Sequence, residues 1–396
     1  MGDQRNSQIP RVALNCLAGF DPTNGARVYL LSLARVLARS GEVDLVLFTS
    51  QGEGSSLPSE LRGFAYEVKV VCGRSYRQIL QALRISDAIR AAGIELWHLP
   101  NTMPFFRRTT CSVITIHDVL DLKFRKYGLF RTAYRWIVNV VAAHTADKVI
   151  TVSQNSRVDI SKYLGIPLDK IVVIFPGVEE LFCPGNGTAS SAMIAEQFGT
   201  EHYFLFPGGV AKNKNLQVTL HALAEFRRLG GMHSLLVTGE GSPEDIRSVR
   251  RLVRDLDLGE CVVLTGCLPR DCMPTLYRAA AAVLYPSLYE GFGFPVLESM
   301  ACGCPVITSN TSSLPEVAGD AAILVNPRDP TNIARAMHQV ISDGALREDL
   351  IARGFERAHS FSWSRTASET WLRACLFQTT HPDSDAGNGA GSSSIG

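Results

Sequence analysis

Residues 282–302 read AVLYPSLYEGFGFPVLESMAC and form the clearest strand–loop–helix unit of the chain. The apolar run 282–285 predicts a buried strand, and the apolar spacing over 295–302 predicts a helix. Glu290 then lies in the loop at the carboxyl end of the strand. Gly291 and Gly293 allow this loop to approach a ligand closely. The free N–H groups at the start of the helix favour a bound phosphate.

The same unit recurs along almost the whole chain. Strands are predicted at 12–17, 43–48, 113–116, 148–152 and 171–175, and again at 203–206, 235–238, 261–265, 282–285, 306–308 and 322–325. Strands that alternate with helices form parallel sheets covered on both faces. We therefore expect two doubly wound α/β domains that face each other across a cleft, with ligands beyond the carboxyl ends of the strands.

The predicted domain division has five parts. Residues 1–182 form a Rossmann-like domain, and 183–200, which are rich in turn formers, form a linker. Residues 201–360 form a second Rossmann-like domain, and 361–378 a final helix that packs back toward the first. Residues 379–396 are Ser, Gly, Asp and Asn with little to bury, which predicts a disordered tail.

Composition and charge exclude several classes of protein. The net charge is +1, so no nucleic-acid partner is expected, although residues 1–185 carry a net +6 and the remainder −5. No apolar run reaches the roughly 18 residues of a membrane span, and the first ten residues lack a signal-peptide core. The ten cysteines form no CxxC pair, which predicts reduced cytosolic thiols rather than a zinc site.

Glu290 and Glu298 stand eight positions apart around the glycine-rich loop. Acidic residues near a helix start are common by themselves. With Gly-Phe-Gly-Phe-Pro between them, however, the segment resembles the E-x7-E signature of retaining glycosyltransferase family 4 (group 1), which has the GT-B fold. The block from Asn310 to Gly319 and Met273-Pro-Thr-Leu-Tyr277 are also similar to this family, and the resemblance covers most of residues 11–365.

The resemblance implies roles for these residues. Glu290 is expected to be catalytic, beside the transferred sugar, where it supports the developing positive charge. Glu298 is expected to hold the ribose, and Gly291, Phe292 and Gly293 belong to the donor-binding loop. The second domain would bind a nucleotide-diphosphate sugar and the first domain the acceptor. Retention of configuration, with no metal ion or other cofactor, is also implied.

A second candidate for the donor site is the segment 206–216, FPGGVAKNKNL, between a predicted strand and a helix. A lysine there adds a cation to the positive end of the helix, which suits a diphosphate. Lys214-Asn215 matches the family pattern, but Gly209 stands where the family often has arginine. Lys212 is expected to supply the missing charge. Surface lysines at a helix start are the alternative.

In the first domain, His117 follows the strand 113–116 at the mouth of the cleft. It matches the His-Asp element of the family, whose histidine lies near the donor sugar and the leaving phosphate, so we expect His117 to be catalytic. Gly25 and Arg27 are expected on the acceptor or phosphate side of the cleft, although Gly25 also fits a simple helix start. His98, at another strand end, either faces the cleft or is structural.

Other patterns concern metals, cofactors and membranes. Asp255-Leu-Asp257 matches the letters of a metal-binding DxD motif but ends a predicted helix, and no GxGxxG follows the first strand. The segments 105–108 and 123–127, with Arg131 and Arg135, mix basic and aromatic residues. They predict a peripheral contact with an anionic membrane; a solvated basic face is the alternative.

The His-Asp element and the segment Gly25-Ala-Arg-Val-Tyr29 resemble those of bacterial mannosyltransferases and related transferases of surface-polysaccharide assembly. The predicted reaction is therefore transfer of a hexose, mannose from GDP-mannose, to a hydroxyl of a lipid-linked or surface glycan, in the cytoplasm at the inner face of the membrane. UDP-linked sugars stay open as donors. The alternative is a catalytically silent GT-B subunit that binds a nucleotide sugar and regulates a partner transferase, which the missing arginine favours.

Overall fold

A computed structural model describes residues 9–16, 25–49, 67–70, 88–100, 110–124 and 128–375. Within these ranges the chain forms two β-sheets, and helices pack against both. The predicted tail 379–396 and the basic segments 105–108 and 125–127 lie outside the described residues.

The first sheet defines the N-terminal lobe. Its seven strands pair in parallel in the order β3-β2-β1-β4-β5-β6-β7. Their bounds are β1 Arg11–Asn15, β2 Asp44–Thr49, β3 Glu67–Val70, β4 Leu96–Leu99, β5 Cys111–Thr115, β6 Lys148–Thr151 and β7 Ile171–Val173.

The second sheet defines the C-terminal lobe. Its six parallel strands follow the order β10-β9-β8-β11-β12-β13. The strand order reverses between β8 and β11, and such a switch point leaves a crevice at the carboxyl ends of the two strands. The bounds are β8 Tyr203–Pro207, β9 Ser234–Thr238, β10 Val262–Gly266, β11 Ala282–Tyr285, β12 Val306–Ser309 and β13 Ile323–Val325.

Helices cover the sheets and bury their apolar faces in three hydrophobic clusters. Several begin at a side-chain cap, as at Ser153 and Asp329, whose oxygens accept N–H bonds of the first turn. The helices are Gly25–Ser40, Leu120–Lys123, Leu129–Thr145, Gln154–Leu164, Gly187–Phe198, Leu216–Arg228, Pro243–Asp255, Met273–Ala279, Phe294–Ala301, Leu314–Ala318, Pro330–Ser342, Gly344–His359 and Trp363–Cys375.

The segments between the lobes differ from a simple linker. Residues 183–200 are mostly the helix Gly187–Phe198, because Asn186 caps its start, Gly199 closes it with φ 73°, and Ile194 is buried. The turn-forming residues therefore lie before the helix rather than along the whole segment. The last helix packs against Gly25–Ser40 of the N-terminal lobe, and the Thr366 hydroxyl donates to the carbonyl of Phe175 at 2.8 Å.

All eleven predicted strands are present, with ends that differ by no more than two residues. The strand β3 was not predicted. It is a four-residue edge strand in which Glu67 and Lys69 interrupt the apolar pattern, and charged edge strands of this kind give a weak signal. The strand β4 was predicted only as a strand end at His98, which lies within the strand Leu96–Leu99.

Candidate active site

An ion pair lies at the switch point between β8 and β11. Lys214, which follows β8, places its Nζ 2.9 Å from Oε1 of Glu290, which follows β11. The same Nζ donates to the Tyr285 hydroxyl at 2.6 Å. The side chains of Lys214 and Glu290 are 19% and 12% exposed. The two residues predicted from separate motifs are thus direct partners in a shielded crevice.

The electrostatics of this crevice favour the charged form of the lysine. Burial alone would lower the pKa of Lys214, but the Glu290 carboxylate and the Tyr285 oxygen hold it above its ordinary value. Burial, together with the charge of Glu290, raises the pKa of the Tyr285 hydroxyl. The crevice therefore holds a permanent cation, which suits an anionic ligand.

The turn after β8 explains why Lys214 is placed there and why the family arginine is absent. Gly208 and Gly209 have φ values of 110° and 76°, which favour glycine. A Cβ at Gly209 would lie 2.1 Å from the carbonyl oxygen of Glu240. No larger residue fits, so an arginine at this position would require a different turn. Lys212, in the same turn, is exposed.

Backbone contacts within the C-terminal lobe hold the loop that carries Glu290. The N–H of Glu290 donates to Ser312 Oγ at 3.2 Å. The Ser313 hydroxyl bonds the carbonyls of Glu290 and Phe292 at 3.0 and 2.6 Å. Gly293 has φ 130°, and its Cβ position is closed by Leu314 at 2.8 Å. Phe292 is buried, so its ring is a packing group in this state.

The His-Asp element of the N-terminal lobe meets this loop directly. A Cβ at Gly291 would lie 2.7 Å from Oδ2 of Asp118 and 2.9 Å from the carbonyl oxygen of His117. Burial raises the pKa of Asp118 to about 6; a bond from the Leu120 N–H opposes the shift, and the charge of Glu290 adds to it. Asp118 was not predicted as a site residue, although it stands beside His117 in the His-Asp element.

His117 is held as a neutral imidazole. Burial lowers the pKa of His117 to about 4. A hydrogen bond to the backbone of Pro100 opposes this shift, because it raises the pKa. The His117 ring contacts the Tyr29 ring edge-on at 5.0 Å. Within the described residues, its buried Nε2 atom has no hydrogen-bond partner. Because buried polar atoms normally find a partner, this atom is available for a ligand.

Glu298 lies in the helix Phe294–Ala301 and is buried. Its Oε1 accepts from Arg270 at 2.7 Å and its Oε2 from the Tyr277 hydroxyl at 2.8 Å. Arg270 also pairs with Glu179. Arg270 and Tyr277 were not predicted as site residues, although Tyr277 belongs to a block that resembles the family. Each carboxylate oxygen retains one lone pair for a further donor.

The other predicted residues occupy less central positions. Gly25 opens its helix with its Cβ position 3.5 Å from the Phe294 ring of the other lobe, and Arg27 is half-buried in the same helix. His98 is buried, and its Nε2 bonds Thr115 Oγ1 at 2.8 Å. It is therefore a core residue rather than a cleft residue. Asp257 lies just past a helix end, and among the described residues no three His, Cys, Asp or Glu side chains group as metal ligands.

Comparison with known proteins identifies the family. The model "Glycosyltransferase Family 4" matches residues 23–180, and "Glycosyl transferases group 1" matches residues 193–357. The O-antigen chain mannosyltransferase B of Escherichia coli is 31% identical over 300 residues, which are 75% of this chain and 78% of that protein. The chain belongs to the group 1, family 4 glycosyltransferases. It is therefore an enzyme.

Two further likenesses concern the sequence and the fold, respectively. The serotype-specific mannosyltransferase WbdA of E. coli is 28% identical over 65% of the chain, although the match spans 32% of that protein. The structure of HepE from Anabaena in complex with UDP-glucose superposes with a TM-score of 0.73 at 16% identity, covering 94% of this chain and all of that one. The predicted GT-B fold is thereby confirmed.

Proposed function

We propose that the protein is a retaining, metal-independent mannosyltransferase that moves mannose from GDP-mannose to a hydroxyl of a lipid-linked or surface glycan. The observation that carries the proposal is the shielded Lys214–Glu290 pair at the switch point. The names of two relatives, both mannosyltransferases, support the choice of sugar.

In the proposed reaction, Lys214 provides the positive charge for the diphosphate leaving group, aided by the N–H groups at the start of Phe294–Ala301. A diphosphate competes with Glu290 for the lysine, which frees the carboxylate to face the oxocarbenium-like sugar. The acceptor oxygen bonds to the anomeric carbon on the face that the phosphate leaves. The departing phosphate takes the acceptor proton, so no separate base is needed.

Other residues would bind the donor and the acceptor. The Nε2 atom of His117, which has no hydrogen-bond partner among the described residues, would bond a sugar hydroxyl or a phosphate oxygen. Glu298 would accept ribose hydroxyls on its remaining lone pairs, with Arg270 and Tyr277 fixing its carboxylate. Gly25 and Arg27 belong to the lobe that would hold the acceptor.

A panel of nucleotide sugars tests the donor. A ligand that binds only the folded state raises the melting temperature, so GDP and GDP-mannose should raise it more than UDP and UDP-glucose. The same panel, read by nucleotide release with a mannose-containing acceptor, separates an active enzyme from a silent subunit. Stabilisation by UDP compounds alone would overturn the choice of GDP-mannose, and transfer only in the presence of a divalent metal would overturn metal independence.

A surface of the N-terminal lobe supports the membrane-bound acceptor. On the helix Leu129–Thr145, Leu129 and Phe130 are 81% and 94% exposed, and Tyr134 and Ile137 about half-exposed. Between Asp121 and Asp147 the sequence has five Lys or Arg and no Asp or Glu, although Lys123 pairs with Asp159 and Arg135 with Asp121. Exposed apolar groups among cations fit an anionic lipid surface. No helix in the described part of the chain is long and apolar enough to cross a membrane.

Vesicle sedimentation tests this contact. The protein should sediment with phosphatidylglycerol vesicles at low salt and less with phosphatidylcholine vesicles. The double variant Phe130→Ser/Ile137→Ser should lose binding, whereas Met232→Ser, which removes an exposed apolar residue of the other lobe, should not. Equal sedimentation of both variants would rule out this helix as the contact.

A further inference from the structure

The loop that carries Glu290 is bonded to the N-terminal lobe through Tyr289, the residue before Glu290. The Tyr289 hydroxyl donates to Oδ2 of Asp159 at 2.8 Å. Lys123 donates to the same oxygen at 3.2 Å and lies 4.3 Å from the centre of the Tyr289 ring. Tyr289 is buried, so this contact between the lobes is shielded from water.

The loop is bonded to the same lobe at the residue after Glu290. The carbonyl of Gly291 accepts from the Ser153 hydroxyl at 2.8 Å and from the Ser156 hydroxyl at 3.2 Å. Both serines are fully buried. Ser153 Oγ also accepts the Ser156 N–H at 3.0 Å and so caps the helix Gln154–Leu164.

A third contact joins this helix end to the C-terminal lobe. The carboxylate oxygens of Glu316 accept the N–H groups of Gln154 and Asn155, each at 2.7 Å. A carboxylate at a helix N-terminus is a favourable charge pairing. The helix Gln154–Leu164 and its cap Ser153 therefore contact the C-terminal lobe at three places, two of which flank Glu290.

We infer that Ser153, Ser156 and Asp159 are positioning residues, which fix the Glu290 loop when the two lobes are closed and thereby couple closure to turnover. The inference rests on the catalytic role proposed for Glu290. These contacts are hydrogen bonds that water can replace when the lobes separate, so closing them gains little net free energy and keeps closure reversible. Their effect is on alignment of the carboxylate, where small displacements are costly.

Two variants remove single hydroxyls without removing the side-chain skeleton. Ser156→Ala and Tyr289→Phe should each lower kcat about tenfold, the effect of one buried hydrogen bond, and leave KM for GDP-mannose unchanged. Ser153→Thr, which keeps the hydroxyl and the cap, should exceed Ser153→Ala in kcat. Ser242→Ala is the matched control, because it removes a helix cap that contacts no residue of the other lobe among the described bonds.

Hydrogen exchange gives a readout that does not depend on turnover. The peptide covering 286–293 should exchange faster in Ser156→Ala and Tyr289→Phe than in wild type, and unchanged in Ser242→Ala. The double variant Asp159→Asn/Tyr289→Phe should have the same kcat as the more impaired of the two single variants. The two effects should not add, because both substitutions remove the same contact.

The outcomes separate this inference from the proposed function. If Glu290→Gln retains turnover, the proposed function fails. If Glu290→Gln is inactive but Ser156→Ala and Tyr289→Phe have wild-type kcat, the positioning role alone is overturned. A rise in KM at unchanged kcat would also overturn it, because the residues would then be ligand-binding groups.

Discussion

Replacing Lys214 by methionine separates two effects that the structure combines in one ammonium group. The group balances the Glu290 carboxylate at 2.9 Å, and it is the proposed partner of the diphosphate. The informative set is Lys214→Met, Glu290→Gln and the double variant, because the double variant removes both charges and leaves none unpaired.

The expected loss of stability follows from burial of the pair. Breaking a buried ion pair by removing one partner costs about 3–5 kcal/mol. Since 19% of the Lys214 side chain and 12% of the Glu290 side chain are exposed, Lys214→Met should lie at the lower end, about 3 kcal/mol. The double variant should return to within about 1 kcal/mol of wild type, because a neutral pair is not penalised in this way.

Turnover should not recover in the double variant. Loss of one preorganised charge-stabilising group lowers kcat about 100- to 1000-fold. Each single variant is expected to show this loss, and the double variant at least as much, because no remaining group replaces the ammonium against the diphosphate.

Urea unfolding and initial rates of GDP release from GDP-mannose measure the two effects in the same preparations. Lys212→Met is the control for stability, since it removes an exposed lysine from the same turn; it should match wild type in unfolding and lose less turnover than Lys214→Met. The reasoning is refuted if the double variant regains wild-type turnover, or if Lys212→Met is as impaired as Lys214→Met.

Three further predictions use the packing and the titration of single residues. Gly291→Ala puts a methyl group 2.7 Å from the Asp118 carboxylate and should lower kcat at least about tenfold, whereas Gly259→Ala, with no atom within 4 Å, should match wild type. Gly209→Arg should melt earlier rather than gain activity; a stable, more active variant would contradict the turn geometry. Burial lowers the pKa of His98 to about 3, so the unfolded chain takes up this proton first as the pH falls below about 6.5, and the stability associated with the neutral ring is lost toward pH 3. Between pH 6 and 4, urea unfolding should show wild type losing about 1.4 kcal/mol per pH unit more than His98→Gln; equal slopes would contradict the burial.

The fold could be predicted from sequence because its signal is local. Strands such as Ala282–Tyr285 are buried on both faces and therefore consist of continuous apolar runs. Such a run can be identified in the sequence without knowing which strand it pairs with. The strand β3 escaped because its sequence alternates charges at a sheet edge. The helix Gly187–Phe198 escaped because it follows Pro and Gly residues, which mark a loop, and its cap is a single Asn186 side chain.

The site was predictable only in part, for the same reason. Lys214 and Glu290 stand in recognisable motifs, but nothing in the sequence shows that they touch, because their contact depends on the order of strands β8 and β11. Arg270 is missed because its partners Glu298 and Glu179 lie 28 and 91 positions away along the chain. Long-range pairing of this kind is a property of the fold and not of any window of sequence.

Gly291 and Gly209 were both singled out from the sequence, but the structure gives a different physical reason for each glycine. Gly291 was expected to let the backbone approach a ligand, yet the atoms that exclude a Cβ there belong to His117 and Asp118 of the opposite lobe. Gly209 was interpreted as a missing arginine, yet the Glu240 carbonyl leaves no room for any side chain. In both cases protein, not ligand, imposes the glycine. Position 209 therefore supplies no charge for the proposed diphosphate, and at position 291 the two lobes approach as closely as only glycine allows.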